Sequence, residues 1–348
     1  MSKESINIFF TINDGYSCYL ATAMASILYN SKTDDKLCFF ILDGGISEGN
    51  KRKIALLNSI KPFEIEYLPI DIEKFKNMPK SSQARISNET NYRFLISSLK
   101  PDIDKCIFID ADLIFDDDIE KLWNVDLQDN YFAAVVDQVP YRKEVLNDWT
   151  TKLPLPKGYH YVNTGVTVIN LKQWRKDNIE NNLFENMNKY SSLLMFPDQD
   201  ILNITCAPLV KKLPAYFNTM PVLPYYSLED KKEAFSNPVV IHWAGSKKPW
   251  LNPSFEYADY FWKYARMTPF YEEILYKNLK TSPIQQIIKT VDVGIIRDVA
   301  NYSKNRFNYY RCKLLSKITF GKLRKHYKDK KKRLKAQIRQ VRRFLKGK

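Results

Sequence analysis

Cysteine is scarce in this chain, and its spacing excludes two common uses of the residue. Five cysteines are scattered through 348 residues, and no two of them form a CxxC pair. The sequence therefore offers neither the even framework of a disulfide-stabilised protein nor the paired thiols of a zinc site. We expect a reducing compartment, in which Cys38 and Cys106 pack as small hydrophobic residues inside their apolar runs.

Long apolar runs are missing as well. No segment reaches the roughly 20 consecutive apolar residues that a membrane-spanning helix requires. Residues 1–5 lead directly into a strand-like segment and lack the apolar stretch of a signal peptide. We therefore expect a cytoplasmic protein. Its 45% hydrophobic and 14% aromatic residues supply a substantial core, which excludes a disordered chain.

Acidic residues are almost absent near the C-terminus, and this changes the meaning of the net charge of +15. Residues 303–348 hold 19 of the 54 Lys and Arg residues but one acid, Asp329, and carry +18. Residues 1–302 hold the other 35 basic and 38 acidic residues and carry −3. A nearly neutral body precedes a strongly basic tail, and the two parts need separate explanations.

An apolar run ends in two carboxylates, Asp110 and Asp112, which are separated by Ala111. Alternate side chains of an extended segment lie on the same side, so both carboxylates can reach one divalent cation at the end of a buried strand. Hard oxygen ligands suit Mg²⁺, Ca²⁺ or Mn²⁺, which substrate phosphates usually complete. The alternative is an ordinary surface turn, because Asp is common where strands end.

The first seventy residues alternate between strand and helix patterns. Strands are predicted over residues 6–12, 37–42 and 63–70. Apolar residues at helical spacing lie between the first two strands, and Ser47 is a plausible N-cap for a helix between the second and third. This βαβαβ order indicates an α/β fold with a mostly parallel central sheet. Ligands of such sheets bind outside the carboxyl ends of the strands. The polar residues expected at that edge are Asn13, Asp14, Asp43, Asp110 and Asp112.

Three further segments combine strand or helix patterns with polar residues. Arg93 lies in a helix predicted over residues 88–99, directly before the strand that carries the acids. Gly165 interrupts a strand predicted over residues 161–171, which indicates a close backbone approach or a bulge. Asp198, Gln199 and Asp200 begin another predicted helix, where helix capping is the simpler interpretation.

His242, one of only three histidines, follows a short strand predicted over residues 239–241. Gly245 and Lys248 come soon after it in a turn, where backbone donors and an ammonium group can approach phosphate. A lone His after a strand is more often a packed residue than a ligand. Together with Asp110 and Asp112, however, its imidazole would complete a ligand group that favours Mn²⁺ over Mg²⁺.

These segments resemble glycosyltransferase family 8, the retaining, metal-dependent group that includes bacterial lipopolysaccharide galactosyltransferases and glucosyltransferases. The resemblance spans about residues 6–250, and the joint pattern is far more specific than any single motif. It rests on residues 11–16, the Arg93 helix with residues 110–112, residues 163–171, residues 198–203 and residues 242–250. The resemblance implies a GT-A-type nucleotide-binding fold and a UDP-sugar-dependent hexosyltransferase.

The resemblance also implies a role for each matching residue. Uracil and ribose would be held by Thr11, Asn13 and Tyr16, the last stacking on the base, and Ile12 and Gly15 would also belong to the donor-binding residues. Mn²⁺, with Mg²⁺ as the alternative, would be ligated by Asp110, Asp112 and His242 and would bridge the two phosphates, while Ala111 leaves room for the ribose. The donor sugar would be lined by Arg93, Asn163, Gly165, Asp198 and Gln199, the last two with catalytic roles. The diphosphate would be held by Gly245 and Lys248. Asn13 and Gly15 depart from the family, in which Asp and a polar residue such as Asn are common at these positions.

The expected activity is Mn²⁺-dependent transfer of galactose or glucose, with retention, from UDP-galactose or UDP-glucose to a glycan or glycolipid acceptor. Lipopolysaccharide, capsule and glycoprotein are all open as the acceptor. Two other classes also remain open. One is a noncatalytic protein that recognises a nucleotide or glycan with the same fold, and the other is a glycogenin-like primer that glucosylates its own tyrosines.

We expect three parts along the chain: a GT-A catalytic domain over 1–260, a helical extension over 261–302, and a basic amphipathic tail over 303–348. Basic segments with interspersed aromatic residues bind anionic membrane surfaces. The tail therefore predicts a protein held peripherally at the inner face of a membrane. RNA binding is the less favoured alternative, because a Lys/Arg-rich arm also attracts nucleic acid.

Overall fold

The computed structural model describes residues 5–76, 88–138, 140, 149–223, 225, 227–281, 302–318 and 320–345. The chain divides into two compact units, Met1–Lys277 and Asn278–Lys348. Residues 282–301, about half of the predicted extension over 261–302, lie outside the described residues. The predicted domain boundaries at 260 and 302 therefore stay predictions.

The first unit alternates strands with helices. The strands are β1 (Ser5–Ile12), β2 (Lys36–Asp43), β3 (Glu64–Pro69), β4 (Lys105–Ile109), β5 (Leu113–Phe115), β6 (Phe132–Val136), β7 (Val162–Asn170), β8 (Val210–Leu213) and β9 (Val240–His242). The α-helices up to residue 281 are α1 (Ser17–Asn30), α2 (Glu48–Ala55), α3 (Ile96–Leu99), α4 (Glu120–Trp123), α5 (Trp149–Lys152), α6 (Leu171–Lys176), α7 (Ile179–Lys189), α8 (Pro197–Cys206), α9 (Leu228–Ser236), α10 (Ala258–Ala265) and α11 (Tyr271–Thr281).

Seven strands form the central sheet in the order β3-β2-β1-β4-β7-β6-β8. β1 pairs in parallel with β2 and β4, β2 with β3, and β6 with β8. β7 pairs antiparallel with both β4 and β6, so it runs against the other six strands of this sheet. The predicted α/β fold with a mostly parallel central sheet is confirmed.

The sheet is buried on both faces, as expected for parallel strands covered by helices. Alternate residues of each central strand enter different cores. In β4, Ile107 and Ile109 pack in one core, whereas Cys106 and Phe108 pack in the other. Such strands read as continuous apolar runs, and a run that ends at the edge of the sheet leaves the next polar side chain at the surface of the core.

The helix predicted over residues 88–99 is mostly a 3₁₀ segment, Asn88–Leu95, followed by the short α3. Two carbonyls of this segment accept hydrogen bonds from side chains. Glu89 O accepts from Thr11 Oγ1 at 2.8 Å, and Thr90 O accepts from Arg93 Nε at 3.0 Å. Side chains that compete for backbone groups weaken regular helix, and here they turn Arg93 towards the end of β4.

A second sheet consists of β5 and β9, which pair antiparallel with Leu113 opposite His242. The neighbouring residues extend this connection, since Trp243 N donates to Asp112 O at 3.1 Å and His242 N donates to Thr219 O at 2.8 Å. This small sheet brings the C-terminal part of the first unit next to the carboxyl end of β4.

The second unit contains α12 (Tyr302–Ile318) and α13 (Gly321–Leu345), which pack against each other. Cys312 and Leu334 are buried, whereas most described basic side chains of α13 are exposed. The helical C-terminal region is thus confirmed. Among the residues that the structure describes, no helix combines the length and the apolar character needed to cross a membrane.

Candidate functional site

Asp110, Asp112 and His242 converge at the carboxyl end of β4. His242 Nε2 lies 3.2 Å from Asp112 Oδ1 and 3.9 Å from Asp110 Oδ2. One ligand atom from each of the three residues lies within 4.8 Å of the others. His242 is 2% exposed, whereas 32% of the Asp110 side chain is exposed, so the group is open to solvent on the aspartate side.

The backbone explains this convergence. Asp110 and Asp112 follow β4 with one residue between them, and Asp110 N donates to Gly165 O at 2.9 Å, which ties the turn to β7. His242 is the last residue of β9 and lies opposite Leu113, the residue after Asp112. Two backbone pairings therefore bring together residues that are at least 130 positions apart in the sequence.

Gly165 leaves room for this group. A β-carbon at position 165 would lie 2.4 Å from His242 Cε1 and 2.7 Å from Asp110 Oδ2. Both distances are shorter than any normal van der Waals contact, so a side chain here would displace a member of the group. The close backbone approach that the sequence predicts at Gly165 is therefore present in the structure.

Two cationic side chains flank the acids from opposite sides. Lys248 donates to the Asp112 carboxylate and, at 2.7 Å, to Trp243 O. Arg93 NH2 lies 3.0 Å from Asp110 Oδ1 and 3.2 Å from Asp198 Oδ2. Arg93 is 3% exposed, and its guanidinium lies 4.1 Å from the centre of the Phe108 ring. A buried cation in this position is stabilised only because it is paired.

The surroundings shift the pKa values of the two carboxylates in opposite directions. Burial raises the pKa of Asp110, and Arg93 offsets only part of this effect. Burial also acts to raise the pKa of Asp112, but Lys248 and His242 together hold that pKa well below its ordinary value. Burial, followed by repulsion from Asp112 and Asp110, raises the pKa of Tyr16 to about 12. The Tyr16 hydroxyl therefore stays neutral and interacts electrostatically with both acids.

The residues of this group fit a divalent cation. Two carboxylates and one imidazole offer oxygen and nitrogen donors from one side, which suits a metal that completes its shell with substrate or water. Tight packing around Gly165 holds two of the three donors in place, and Asp112 stays ionised beside Lys248. The set holds no thiolate, so a structural zinc site of the cysteine type does not fit.

The first turn of α8 adds Asp198 and Gln199 beside the metal group. Asp198 pairs with Arg93, and the Gln199 amide is held at both ends. Gln199 Oε1 accepts from Thr164 N at 3.1 Å, while Gln199 Nε2 donates to Asp137 Oδ2 at 2.8 Å and to Tyr161 Oη at 3.1 Å. Neither Asp198 nor Gln199 serves as a cap, so the simple capping interpretation does not account for them.

Asp200 ties this turn to the loop that precedes it. Its Oδ2 accepts from Met195 N at 2.7 Å and from Phe196 N at 2.9 Å, and its Oδ1 accepts from Tyr161 and Trp149. Burial raises the pKa of Asp200 to about 6, although these donors act in the opposite direction. Asp200 thus fixes the position from which Asp198 and Gln199 project.

The residues predicted to bind uridine lie around the end of β1. Thr11 and Asn13 both contact Glu89, the latter through Nδ2 and Oε1 at 3.4 Å. Tyr16 is 40% exposed and makes edge contacts with Tyr19 and Trp250. Tyr16 is therefore held by aromatic neighbours while part of its side chain stays exposed to solvent.

Four other residues that were predicted to bind the donor lie either in the core or in exposed turns. The side chain of Ile12 is 3% exposed and packs in the core, so any contact with a nucleotide would involve its backbone. Ala111 is also buried, between the two acids. Gly15 lies in the exposed 3₁₀ turn Asp14–Tyr16, and Gly245 lies in an exposed turn with φ +92°. Their roles with a ligand stay predictions.

Sequence reasoning missed three residues: Asp137, Asn218 and Glu89. Asp137 directly follows β6 and is 1% exposed, and it accepts hydrogen bonds from both Asn163 and Gln199. The usable signal was its place at the carboxyl end of an apolar run, as for Asp110. Asn218 and Glu89 act through long-range contacts, and no local pattern marks them.

Comparison with known proteins agrees with this geometry. The sequence model of glycosyl transferase family 8 matches residues 7–253 of this chain. A putative glycosyltransferase of Haemophilus influenzae is 34% identical over 249 residues, which cover 71% of this chain and 74% of that protein. A lipopolysaccharide 1,2-glucosyltransferase of Escherichia coli is 27% identical over 279 residues, 77% of this chain and 80% of that protein.

A solved structure is similar to this one as well. The galactosyltransferase LgtC, crystallised in complex with donor and acceptor sugar analogues, superposes with a TM-score of 0.67 at 28% identity. The similarity covers 76% of this chain and 96% of that one. The family match extends over most of the first compact unit and includes every residue of the metal group. The chain belongs to glycosyltransferase family 8 and is a glycosyltransferase with a GT-A fold.

Proposed function

We propose that this protein is a manganese-dependent, retaining hexosyltransferase that moves galactose or glucose from a UDP-sugar to a cell-surface glycan. The observation that carries the proposal is the convergence of Asp110, Asp112 and His242, with Lys248 on one side and Arg93 on the other. A diphosphate needs concentrated positive charge, and the two acids supply the metal site that concentrates it.

The charge pattern supports departure of UDP. When bound, Mn²⁺ would act as a Lewis acid that neutralises the diphosphate. Lys248 is 9% exposed and fixed by two acceptors, so its ammonium is already oriented before a substrate arrives. Preoriented charge of this kind stabilises developing negative charge without reorganisation during the reaction. Mg²⁺ would fill the same role less well, because imidazole is a softer ligand than Mg²⁺ prefers.

Gln199 would lie beside the donor sugar as a dipole. Both ends of its amide are hydrogen-bonded within the protein, to Thr164 N and to Asp137. An amide so restrained is a poor nucleophile and suits electrostatic stabilisation of a positively charged sugar. For retention we propose attack of the acceptor oxygen on the anomeric carbon from the side of the leaving group. The bond from that carbon to UDP breaks, and the acceptor proton passes to the departing phosphate.

The acceptor is proposed from the relatives. Those named above include a lipopolysaccharide 1,2-glucosyltransferase, and a lipopolysaccharide 1,3-galactosyltransferase of Salmonella typhimurium is 26% identical over 261 residues. Both names describe transfer of glucose or galactose to lipopolysaccharide. We propose a glycan or glycolipid of the same class for this chain, at the cytoplasmic face of a membrane.

The tail supplies a second part of the proposal. In α13 the described Lys and Arg side chains are largely exposed, and Asp329 is the one acid of this helix. Each basic residue close to an anionic lipid surface contributes about 1 kcal/mol to binding. We propose that α13 holds the enzyme against a membrane that carries its acceptor, and that nucleic acid is not its partner.

The experiment is a hydrolysis assay with purified full-length protein, UDP-galactose or UDP-glucose, and Mn²⁺ or EDTA. We expect release of UDP from one of the two donors, dependent on Mn²⁺ and abolished in Asp110→Asn. Equal turnover in Asp110→Asn and the wild-type protein would overturn the metal assignment. Nucleotide binding without turnover would support a noncatalytic protein, and a gain of intact mass with UDP-glucose would support a self-glucosylating primer.

A further inference from the structure

A chain of buried amides connects the metal group to the sugar side of the site. Asn218 Oδ1 lies 2.9 Å from His242 Nδ1, and Asn218 Nδ2 donates to Asn163 Oδ1 at 2.9 Å. Asn163 Nδ2 in turn donates to Asp137 Oδ2 at 3.0 Å and to Gln199 Oε1 at 3.2 Å. Asn218 is fully buried, and Asn163 is 6% exposed. Water therefore has little access to these amides and cannot replace a hydrogen bond that a wrongly oriented amide would lose.

The hydrogen-bond direction along these amides is fixed at the Asn163 end by two groups whose donor or acceptor role cannot change. Gly165 N donates to Asn163 Oδ1 at 3.0 Å, and a backbone N–H can only donate. The Asp137 carboxylate accepts from Asn163 Nδ2. If the Asn163 amide were turned over, its NH₂ would face the Gly165 N–H and its oxygen would face the carboxylate. Both contacts would become repulsive.

The orientation of Asn163 determines that of Asn218. Because Asn163 presents its oxygen, Asn218 must present its NH₂ to it and its own oxygen to His242. An oxygen facing Nδ1 requires a proton on that nitrogen. Nε2 is then the nitrogen that keeps a lone pair, and it is also the atom directed at Asp110 and Asp112.

We propose that Asn218 is a positioning residue that fixes His242 as the Nδ1–H tautomer and so presents Nε2 to a divalent cation before that cation binds. The proton assignment is transmitted from the Gly165 N–H and Asp137 through Asn163 and Asn218. Asn163 also donates to Gln199, so the metal ligand and the sugar-facing amide share one hydrogen-bonded support. This inference rests on the proposed metal-dependent function, because it assigns a purpose to the tautomer.

The first test measures Mn²⁺ affinity in the absence of any sugar nucleotide, by electron paramagnetic resonance of the free ion. Asn218→Leu removes the acceptor for Nδ1–H, and loss of such a supporting partner weakens metal binding about 10- to 100-fold. Asn218→Asp keeps an acceptor facing His242 but loses the donor to Asn163 Oδ1, so we expect its dissociation constant to lie between those of wild type and Asn218→Leu. Asn30→Leu is the matched control, because Asn30 donates to Ser26 O, Phe115 O and Tyr264 Oη, none of which belongs to the amide chain from His242 to Asp137. We expect it to leave Mn²⁺ affinity unchanged.

The second test observes the tautomer directly in the wild-type protein. The chain has three histidines, so selective ¹⁵N-histidine labelling gives a spectrum that is simple to assign with a His242→Gln variant. The ¹⁵N chemical shifts of the two ring nitrogens distinguish the tautomers, and we expect His242 to carry its proton on Nδ1. This measurement needs no variant to fold at position 218.

Each outcome decides the proposal. A proton on Nε2, or Mn²⁺ binding by Asn218→Leu that equals wild type, would overturn it. Failure of the proposed function looks different: the wild-type protein would then hydrolyse no UDP-sugar with Mn²⁺, while the tautomer and the effect of Asn218→Leu on Mn²⁺ affinity would remain as described.

Discussion

The α-carbon of Gly165 faces the imidazole of His242 so closely that a β-carbon at position 165 would lie 2.4 Å from Cε1. The same β-carbon would lie only 2.7 Å from Asp110 Oδ2. Gly165→Ala must therefore displace one or both of these side chains. We expect at least a tenfold loss of Mn²⁺ affinity, comparable to the loss of a partner that supports a metal ligand. Titration with Mn²⁺ measures it.

Gly49→Ala is the control for this substitution. Gly49 lies in α2, and a β-carbon there would meet nothing within 4 Å. Alanine in a helix is more stable than glycine by about 0.5 to 1 kcal/mol. We expect unchanged Mn²⁺ affinity and slightly higher stability. Unaltered Mn²⁺ affinity in Gly165→Ala would show that the close approach has no bearing on the metal group.

Lys248 and Lys247 are adjacent lysines with opposite surroundings. Lys248 is buried against Asp112 and the Trp243 carbonyl, whereas Lys247 is exposed. If Lys248 stabilises the departing diphosphate, Lys248→Met should lower kcat for UDP-sugar turnover by about 10²- to 10³-fold. Lys247→Met should leave kcat within about twofold, because exposed charges contribute little. Equal kcat values for the two variants would remove Lys248 from the reaction.

Asp200 predicts a pH dependence of stability. Burial raises the pKa of this carboxyl to about 6, above its ordinary value of 3.8. Between about pH 4 and pH 6 the folded protein therefore holds a proton that the unfolded chain has released, and the contribution of Asp200 to stability grows as the pH falls. Asp200→Asn lacks this titration. On lowering the pH from about 7 to about 5, wild type should gain on the order of 1 kcal/mol in free energy of unfolding relative to Asp200→Asn.

Denaturant unfolding of both proteins at each pH measures this difference. The comparison between the proteins removes the effect of other titrating groups, which they share. A difference that stays constant, or that reverses in favour of Asp200→Asn at low pH, would show that Asp200 is not held in an environment that favours its neutral form.

Much of the metal group could be predicted from local sequence. Asp110 and Asp112 follow an apolar run, and the rule that places ligands at the carboxyl ends of parallel strands located them correctly at that edge. Gly165 interrupts a strand pattern, which indicated the close approach that the structure contains. These signals are local, because strand ends and glycine breaks are visible within ten residues.

Other features of the site depend on contacts that sequence patterns do not record. Asn218 comes near His242 only because His242 N pairs with the Thr219 carbonyl, a contact between segments with no shared pattern. The segment of Arg93 has helical periodicity, yet side chains from β1 and from Arg93 itself bind its carbonyls and leave it mostly 3₁₀. Tertiary hydrogen bonds override local propensity in both cases.

The basic tail predicts binding to anionic membranes. Flotation with vesicles of phosphatidylserine and phosphatidylcholine should carry the full-length chain upward, and pure phosphatidylcholine vesicles should not. Deletion of residues 303–348 removes a charge of +18 and should abolish flotation. High salt should weaken binding of the full-length chain, because it screens surface charge.

A second variant tests the effect of positive charge without deleting the tail. Replacing the run Lys330, Lys331 and Lys332 by glutamine keeps α13 polar and helical but removes three positive charges. Flotation should fall without any change in UDP-sugar hydrolysis. A truncated protein that floats as well as the full chain would contradict membrane binding by the tail, and tight RNA binding lost on truncation would favour the alternative partner.

The most direct test of the account is a crystal structure with Mn²⁺ and UDP, recorded at the manganese absorption edge. We predict one strong anomalous peak within bonding distance of Asp110, Asp112 and His242 Nε2, with the diphosphate of UDP beside Lys248. A protein that binds UDP with no anomalous peak among these three side chains, or with the peak elsewhere, would contradict the account.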